Sequence, residues 1–438
     1  MPILPTLEGL HSAESLDRAF LEAFYGRVEE LLAHPEDFSG ALAGRLVGLV
    51  FEEPSTRTRV SFQAAVERLG GDALVVAGAE ATSRAKGESL ADMARVLGSY
   101  VDLLVWRHSA DGASRLVARH AGVPVVNAGD GRLGHPTQTL LDLTLLHRRL
   151  GALEGRVVGL LGDLRHGRTA RSLAWGLAVE RASVLLLPGA GLEWEPAFEQ
   201  RLVDRFGLRV RQVVHPLIRA WTGRDEARLL APPGIEQPAL FPGACDGLER
   251  LDALYLTRLQ DERGARPGRG GYPGVTTAQL RDPLLAHTLL LHPLPRRDEL
   301  PAELDDDPRM VAFEQAALGP TVRMAVLLSM LRPDAWPLPS LAPLPAGQPE
   351  PGLGACVNPN CVVRAEGLAT PWRVVGGKRR RFLCALCDSQ LPVDYVGCRT
   401  TSRVHPVHSQ AAQRISPENL RPFRDREEAV AAGFAWGG

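Results

Sequence analysis

Leu46-Val47-Gly48-Leu49-Val50-Phe51 leads, a few residues on, to Ser55-Thr56-Arg57-Thr58-Arg59, and then to Val60-Ser61-Phe62-Gln63-Ala64-Ala65-Val66-Glu67-Arg68-Leu69-Gly70. The first stretch is an unbroken apolar run, the pattern of a strand buried on both faces of a parallel sheet. The last repeats apolar residues at helical spacing and ends on a glycine, where a helix stops. Between them, three hydroxyls alternate with two arginines. Free backbone N–H groups, the positive end of a helix dipole and two guanidiniums then converge on one point, which makes an anion site. A plain N-cap with solvated charges is the bland alternative, and the density of hydroxyls and arginines counts against it.

The same strand–turn–helix alternation continues outward. Ala73-Leu74-Val75-Val76 reads as a second strand, followed by a polar loop, Thr82 to Ser89, and a helix from about Leu90 to Tyr100. Leu103-Leu104-Val105-Trp106 is a short buried strand ending in Arg107, and an arginine at the carboxyl end of a parallel strand faces the ligand crevice. Pro124-Val125-Val126-Asn127 precedes His135-Pro136-Thr137-Gln138-Thr139. Pro136 suits a first helical turn, which holds His135 at a helix N-terminus, where a neutral imidazole can donate to a carbonyl.

A second series starts at Arg156 to Asp163, a strand entering a turn that contains Gly162, Gly167 and Arg168; a helix to Val179 and a strand Ser183 to Leu187 follow. The glycines do not fit Gly-x-Gly-x-x-Gly, so a dinucleotide site is set aside. Residues 212–247 resist assignment. Leu251 to Gln260 reads as extended, with Arg258 and Gln260 on one side of it. Leu289 to Arg296 is a strand closing in a Pro-rich turn, and Phe313 to Leu331 an apolar helix returning to the first domain. The expected fold class is α/β: two doubly wound parallel-sheet domains (1–144 and 145–308), a return helix (309–332), a linker (333–352) with seven prolines, a small β-rich zinc-ribbon-like domain (353–400) and a short C-terminal module (401–438).

Composition narrows the class. The chain has 438 residues, 45% hydrophobic and 23% charged, with a formal net charge of −1, which argues against a general nucleic-acid or membrane-surface binder. No apolar run is long enough to span a bilayer and Met1-Pro2-Ile3-Leu4-Pro5 lacks a signal-peptide pattern, so a cytoplasmic location is expected. Of the 50 basic residues only Lys86 and Lys378 are lysines, which suggests that lysine is kept where arginine will not serve. Cys356-x4-Cys361 and Cys384-x2-Cys387 form two close thiol pairs, the pattern of a structural four-thiolate zinc site, and are the expected metal ligands. Lys378-Arg379-Arg380-Arg381 is read as a solvated face or a subunit contact rather than a nucleic-acid site.

Ser55-Thr-Arg-Thr-Arg closely resembles the carbamoyl phosphate motif of the transcarbamylases, and His135-Pro-Thr-Gln their second signature. His292-Pro293-Leu294-Pro295-Arg296 resembles the aspartate enzymes of that family; the ornithine enzymes have a cysteine in this motif. The resemblance implies transfer of a carbamoyl group from carbamoyl phosphate to L-aspartate in pyrimidine synthesis. It implies that Ser55, Thr56, Arg57, Thr58, Ser83, Lys86 and Arg107 hold the phosphate, and that Thr58, Arg107 and His135 polarise the carbonyl. Gln138 would orient the carbamoyl NH2, the carbonyls of Leu294 and Pro295 the attacking amine, and Arg168, Arg258 and Gln260 the aspartate carboxylates, with Lys86 shared between substrates. No catalytic cofactor is implied. The loop with Ser83 and Lys86 would reach a neighbouring subunit, in a trimer or a multiple of trimers; whether a dihydroorotase associates is left open. Gln63 stands where the family has Glu, and the loop is one residue short.

Cys-Val-Asn-Pro-Asn-Cys resembles the zinc domain of the aspartate transcarbamylase regulatory chain, whose nucleotide-binding domain has no counterpart here, so CTP or ATP regulation is not expected. Val404 to Phe434 resembles the small metal domain of Ada-type DNA-repair proteins, with Ser409 where that pattern has Cys; such a remnant would be a packing module. A transcarbamylase for another acceptor, and a zinc-ribbon regulator with a retired catalytic domain, are the alternatives.

Overall fold

The structure is a computed structural model that describes residues 9–78, 83–235, 240–241, 246–266, 271–341, 348–349, 355–375 and 380–437. Met1 to Pro5, Thr82, Cys245, Lys378, Arg379 and parts of the loop after Gly264 and of the Pro-rich stretch lie outside the described residues.

The opening stretch folds as read. Leu46–Phe51 (β2) lies inside a five-stranded parallel sheet, between Asp72–Ala77 (β3) and Leu103–His108 (β4); Val125–Asp130 (β5) and the two-residue Gly9–Leu10 (β1) complete the order β1-β5-β4-β2-β3. Helix α1 (Arg18–Ala33) lies between β1 and β2, α2 (Thr56–Arg68) follows β2, α3 (Leu90–Gly98) leads into β4, and α4 (Ala113–Ala118) into β5. Helix α5 runs from Pro136 to Leu150, so the division expected at 144/145 falls inside it.

The second sheet holds eight strands. At one end of it Val157–Gly162 (β6), Ser183–Pro188 (β7), Ala253–Leu256 (β12) and Leu289–Leu291 (β13) run parallel in the order β7-β6-β12-β13, with α6 (Arg168–Val179) after β6. The described residues of the unassigned stretch form regular elements. After α7 (Pro196–Phe206), Arg209–Val214 (β8) turns through α8 (Pro216–Thr222) into Glu226–Ala231 (β9), and β9 runs antiparallel between β8 and β7. Leu240–Phe241 (β10) and Asp246–Leu248 (β11) extend the same edge. The strand expected to reach Gln260 stops at Leu256; Thr257 to Gln260 leave the ladder and Gln260 instead caps a 3-10 turn.

Helix α9 (Ala312–Leu331) packs on α1, α2 and α5, as a return helix should, and one apolar core runs through both domains. The linker expected from 333 is docked at its start. Trp336 is 3% exposed, meets Phe38 edge-on at 5.0 Å and lies under Arg27.

Beyond it, Gln348–Pro349 (β14), Pro371–Val375 (β15) and Arg381–Cys384 (β16) form an antiparallel sheet, with a short helix α10 (Val362–Ala365). Tyr395–Cys398 (β17) pairs with Arg403–Pro406 (β18) and Leu420–Phe423 (β19), and Ala435–Trp436 (β20) closes the edge beside β18. The last module therefore begins at 395, and the boundary expected at 400 falls within its first hairpin. Helix α11 (Gln410–Arg414) starts at Ser409, whose hydroxyl accepts from the Ala412 N–H, so the residue in the cysteine position acts as a helix cap; α12 (Arg426–Ala431) precedes β20. Among the described residues no helix is long and apolar enough to cross a membrane.

Candidate active site and metal centre

The carboxyl ends of both sheets open onto one cleft of about 1280 Å³, the place where open α/β sheets bind ligands. From the first domain come Ser55, Thr56, Arg57 and Thr58 after β2, Arg107 at the end of β4, and His135 and Gln138 at the start of α5. From the second come Arg168, Arg258, Gln260, Leu294 and Pro295. Twelve expected residues thus line the one cleft. Ser83 and Lys86 do not line it: both are exposed, in a 3-10 turn outside their own chain's cleft.

The N-terminus of α2 is built to take an anion. Ser55 caps it in extended conformation, yet its side chain makes no capping hydrogen bond, so hydroxyl and first-turn N–H groups remain directed at the cleft. Desolvation and the facing charge of Arg258 both lower the pKa of Arg57, so cations from the two domains oppose each other across the space. Thr58 Oγ1 lies 3.5 Å from His135 Nε2, and Thr137 Oγ1 lies 3.3 Å from Nδ1. Burial, then Arg168 and Arg107, hold His135 well below the usual histidine range, so the ring is neutral.

Gly129 lets two of the arginines converge. It sits at φ +112°, and a Cβ there would stand 2.9 Å from Arg107 Nη1 and 2.9 Å from Arg168 Cζ. Both arginines meet on Glu53, a residue sequence reasoning missed. Arg107 Nη2 donates to Glu53 Oε1 at 2.5 Å, Arg168 Nη2 to the same oxygen at 2.6 Å, and Arg263 Nη2 at 3.3 Å. Burial alone would raise the Glu53 pKa; Arg168 and Arg107 outweigh it and bring it down to about 2. A carboxylate of the chain itself thus bridges the domains at the anion site.

Arg258 forks onto Glu262 at 2.9 and 2.5 Å, and the Gln260 amide donates to the Arg258 carbonyl at 3.1 Å. In the β13 turn, His292 Nδ1 accepts from the Leu294 N–H, so its proton is on Nε2 and is donated to Glu299 at 2.9 Å. Gln138 donates to Asp142 Oδ1 at 2.7 Å, as does Gln315 at 2.5 Å.

The carbamoyl phosphate-binding domain model of aspartate and ornithine carbamoyltransferases matches residues 9–148. The aspartate carbamoyltransferase catalytic subunit of Methanothermobacter thermautotrophicus is 40% identical over 329 residues, covering 73% of this chain and 94% of its own length. That of Thermofilum pendens is 38% identical, covering 72% and 92%. The chain belongs to the aspartate carbamoyltransferase catalytic subunit family. Among solved members of the family, the Trypanosoma cruzi enzyme in complex with N-(phosphonacetyl)-L-aspartic acid is 30% identical, with a TM-score of 0.60 over 76% of this chain and 99% of that one. The catalytic subunit of M. jannaschii aspartate transcarbamoylase is 29% identical, with a TM-score of 0.59 over 75% of this chain and 99% of that one.

Outside the cleft, the Sγ atoms of Cys356, Cys361, Cys384 and Cys387 all lie within 4.8 Å of one another and are buried, the one such cluster among the described residues. Cys356 and Cys387 are 3.5 Å apart, Cys361 and Cys384 3.8 Å. Tetrahedral thiolates at about 2.3 Å from a metal would stand about 3.8 Å apart, so the spacing fits. The surroundings fit too: Arg119, beside Cys384, has Nε and Nη2 buried without a hydrogen-bond partner, a cation suited to an anionic metal–thiolate cluster.

The module carrying this cluster is sewn to the first domain. Asp111 N–H donates to Asn360 O and Val362 N–H to Asp111 O, while Gly112, at φ +85°, passes so close that a Cβ would meet Leu386 O at 2.5 Å. Pro359 and Asn360 consequently line the cleft. Asp388 is fully buried and paired with Arg115 (2.8 Å) and Arg373 (2.6 Å), with Arg201 of α7 at 3.9 Å; Arg201 and Arg373 also meet Glu14. The described part of the basic run is internal: Arg380 donates to carbonyls at the end of α11 and Arg381 pairs with Asp204 of α7.

Proposed function

We propose that the chain is an aspartate carbamoyltransferase, making N-carbamoyl-L-aspartate and phosphate from carbamoyl phosphate and L-aspartate in the second step of pyrimidine synthesis. The observation that carries this reading is one cleft that gathers cations from both domains around a neutral histidine. The α2 N-terminus, Arg57 and Arg107 suit a phosphate; Arg168, which meets Arg107 on Glu53, together with Arg258 and Gln260 suits two carboxylates.

Bound between them, the carbonyl carbon of carbamoyl phosphate faces the amine of aspartate. A C–N bond forms as the amine attacks, the C–O bond to phosphate breaks, and the amine proton leaves with the phosphate. With Thr137 donating to Nδ1, the His135 proton sits on Nε2, beside Thr58, where both can stabilise the oxyanion together with Arg107. Gln138 turns its carbonyl oxygen to the carbamoyl NH2, because Asp142 takes its amide hydrogens. Leu294 and Pro295 carbonyls orient the amine. Holding two reactants in this geometry supplies much of the remaining rate, and no organic cofactor or catalytic metal takes part.

Lys86 and Ser83, exposed on their own chain, complete the phosphate site of a neighbouring subunit in a homotrimer. Zinc is the metal the four thiols suit, in a structural role. The test is carbamoyl-aspartate formation with L-aspartate and L-ornithine as rival acceptors, in wild type and Lys86→Ala. Turnover with aspartate alone, lost in the variant and restored by mixing it with His135→Ala subunits, is the expected result. No turnover with either acceptor refutes the reading.

A further inference from the structure

Glu366 belongs to the thiol-bearing module but serves the first domain. It stands five residues after Cys361, at the end of α10, which Cys361 itself caps. Its side chain is 7% exposed, and both carboxylate oxygens are used. One accepts from Arg84 Nη2 at 2.7 Å; the other accepts from the Leu90 N–H at 2.9 Å, closing the first turn of α3. Arg84 lies in the turn Ser83–Lys86 and has a second carboxylate beside it, Glu52 Oε2 at 3.4 Å, while Nη1 donates to Glu88 O.

Glu52 follows β2 directly, in the segment that leads to Ser55. It is 5% exposed and also accepts from Trp106 Nε1 at 3.1 Å. The guanidinium of Arg84 therefore joins a rigid part of the catalytic sheet to the metal module. The turn is fixed on its inner side by Arg84 and at its far end by Leu90, and presents Ser83 and Lys86 outward.

We propose that Glu366 is a positioning residue for the Ser83–Lys86 turn, so that the metal module of one chain sets the geometry with which Lys86 completes the cleft of its neighbour. The proposal rests on the carbamoyltransferase reading for what Lys86 does there, though not for the anchoring itself. Two buried carboxylates share one cation here: without Glu366, Arg84 keeps only the longer contact to Glu52 among these two, and the Leu90 N–H loses its acceptor. Displacements of about 1 Å in a group that touches substrate cost up to about a hundredfold in rate.

The experiment uses the full-length, zinc-loaded oligomer and compares wild type, Glu366→Ala, Glu366→Gln and Arg84→Ala. Three quantities are read: zinc per chain, hydrogen exchange of the Ser83–Asp92 backbone, and kcat and KM for carbamoyl phosphate. Glu366→Ala is expected to retain zinc, to exchange faster through Ser83–Asp92, and to raise KM about tenfold or more while kcat falls. Glu366→Gln keeps an acceptor for Leu90 but loses the charge facing Arg84, and should fall between. Arg84→Ala, remote from the thiols, must reproduce the loosening even if Glu366→Ala loses its metal. Unchanged exchange in both alanine variants overturns the anchoring, and faster exchange with unchanged KM and kcat overturns its role in positioning. A wild-type enzyme inactive towards aspartate would instead refute the functional reading, leaving the exchange result to decide the anchoring separately.

Discussion

Glutamine at position 53 would leave three guanidiniums facing one another around a neutral amide. The Glu53 carboxylate takes hydrogen bonds from Arg107, Arg168 and Arg263. Burial opposes its ionisation, but Arg168 and Arg107 bring its pKa from 4.5 to about 2. That difference corresponds to about 3 kcal/mol in favour of the ionised, folded form. Because the folded value is the lower, this stabilisation is complete above about pH 4.5 and fades as the pH falls towards 2. Glu53→Gln should therefore cost about 3 kcal/mol at pH 7, and progressively less below pH 4.5. Glu53 follows β2 in the first domain, whereas Arg168 and Arg263 come from the second, so the variant should also loosen the domains and raise the KM for aspartate. Urea unfolding at low salt, with and without inorganic phosphate, measures both effects. Phosphate supplies the missing negative charge and should stabilise the variant more than the parent. A deficit below about 1 kcal/mol at pH 7, or equal protection of both proteins by phosphate, would refute the reasoning.

Asp142→Asn can offer an NH2 to Gln138 and so let that amide turn over; kcat should drop about tenfold to a hundredfold with little change in thermal midpoint. Burial also raises the Asp142 pKa to about 7, so the parent's rate should fall on the acid side of that value and the variant's should not, which a pH–rate profile checks. Asp388→Asn removes a buried charge shared by Arg115, Arg373 and Arg201, and should cost about 3–5 kcal/mol in denaturant unfolding. Cys361→Ser, or a strong chelator at neutral pH, should release one zinc per chain and open residues 355–398 to protease; release should come more readily in mild acid, since the ligands must be thiolates.

Much of the catalytic core was legible because its signals are local. The apolar run at β2, the hydroxyl–arginine turn and Pro136 behind His135 each declare their conformation within a few residues. The parts that were not legible depend on pairing across long separations. Glu53 meets arginines 54, 115 and 210 residues away in sequence. Its one local sign was an acidic pair, Glu52-Glu53, beside an anion site, the kind of conflict that marks a functional position. The β8–β9 excursion escaped notice because β8 is largely exposed and lacks the continuous apolar pattern of a central strand. Arg258 and Gln260 reach the cleft although the strand expected to carry them ends at Leu256. Trp336 hid inside a Pro-rich composition that suggests a spacer, and its burial against Phe38 depends on a partner almost three hundred residues upstream.

The peptide continuity between α9 and the thiol module changes the law of mass action at the contact around Asp388. Two separate chains meeting through that surface would dissociate on dilution, at a concentration set by their affinity. Here the docked Trp336 leaves only a short tether before the module, so encounter is intramolecular at an effective concentration on the order of millimolar. A surface of modest intrinsic affinity is then kept closed at any protein concentration. Each chain carries its own copy of Pro359 and Asn360 at its cleft and of Glu366 beside the Ser83–Lys86 turn, and chains lacking the module cannot accumulate however unevenly synthesis runs.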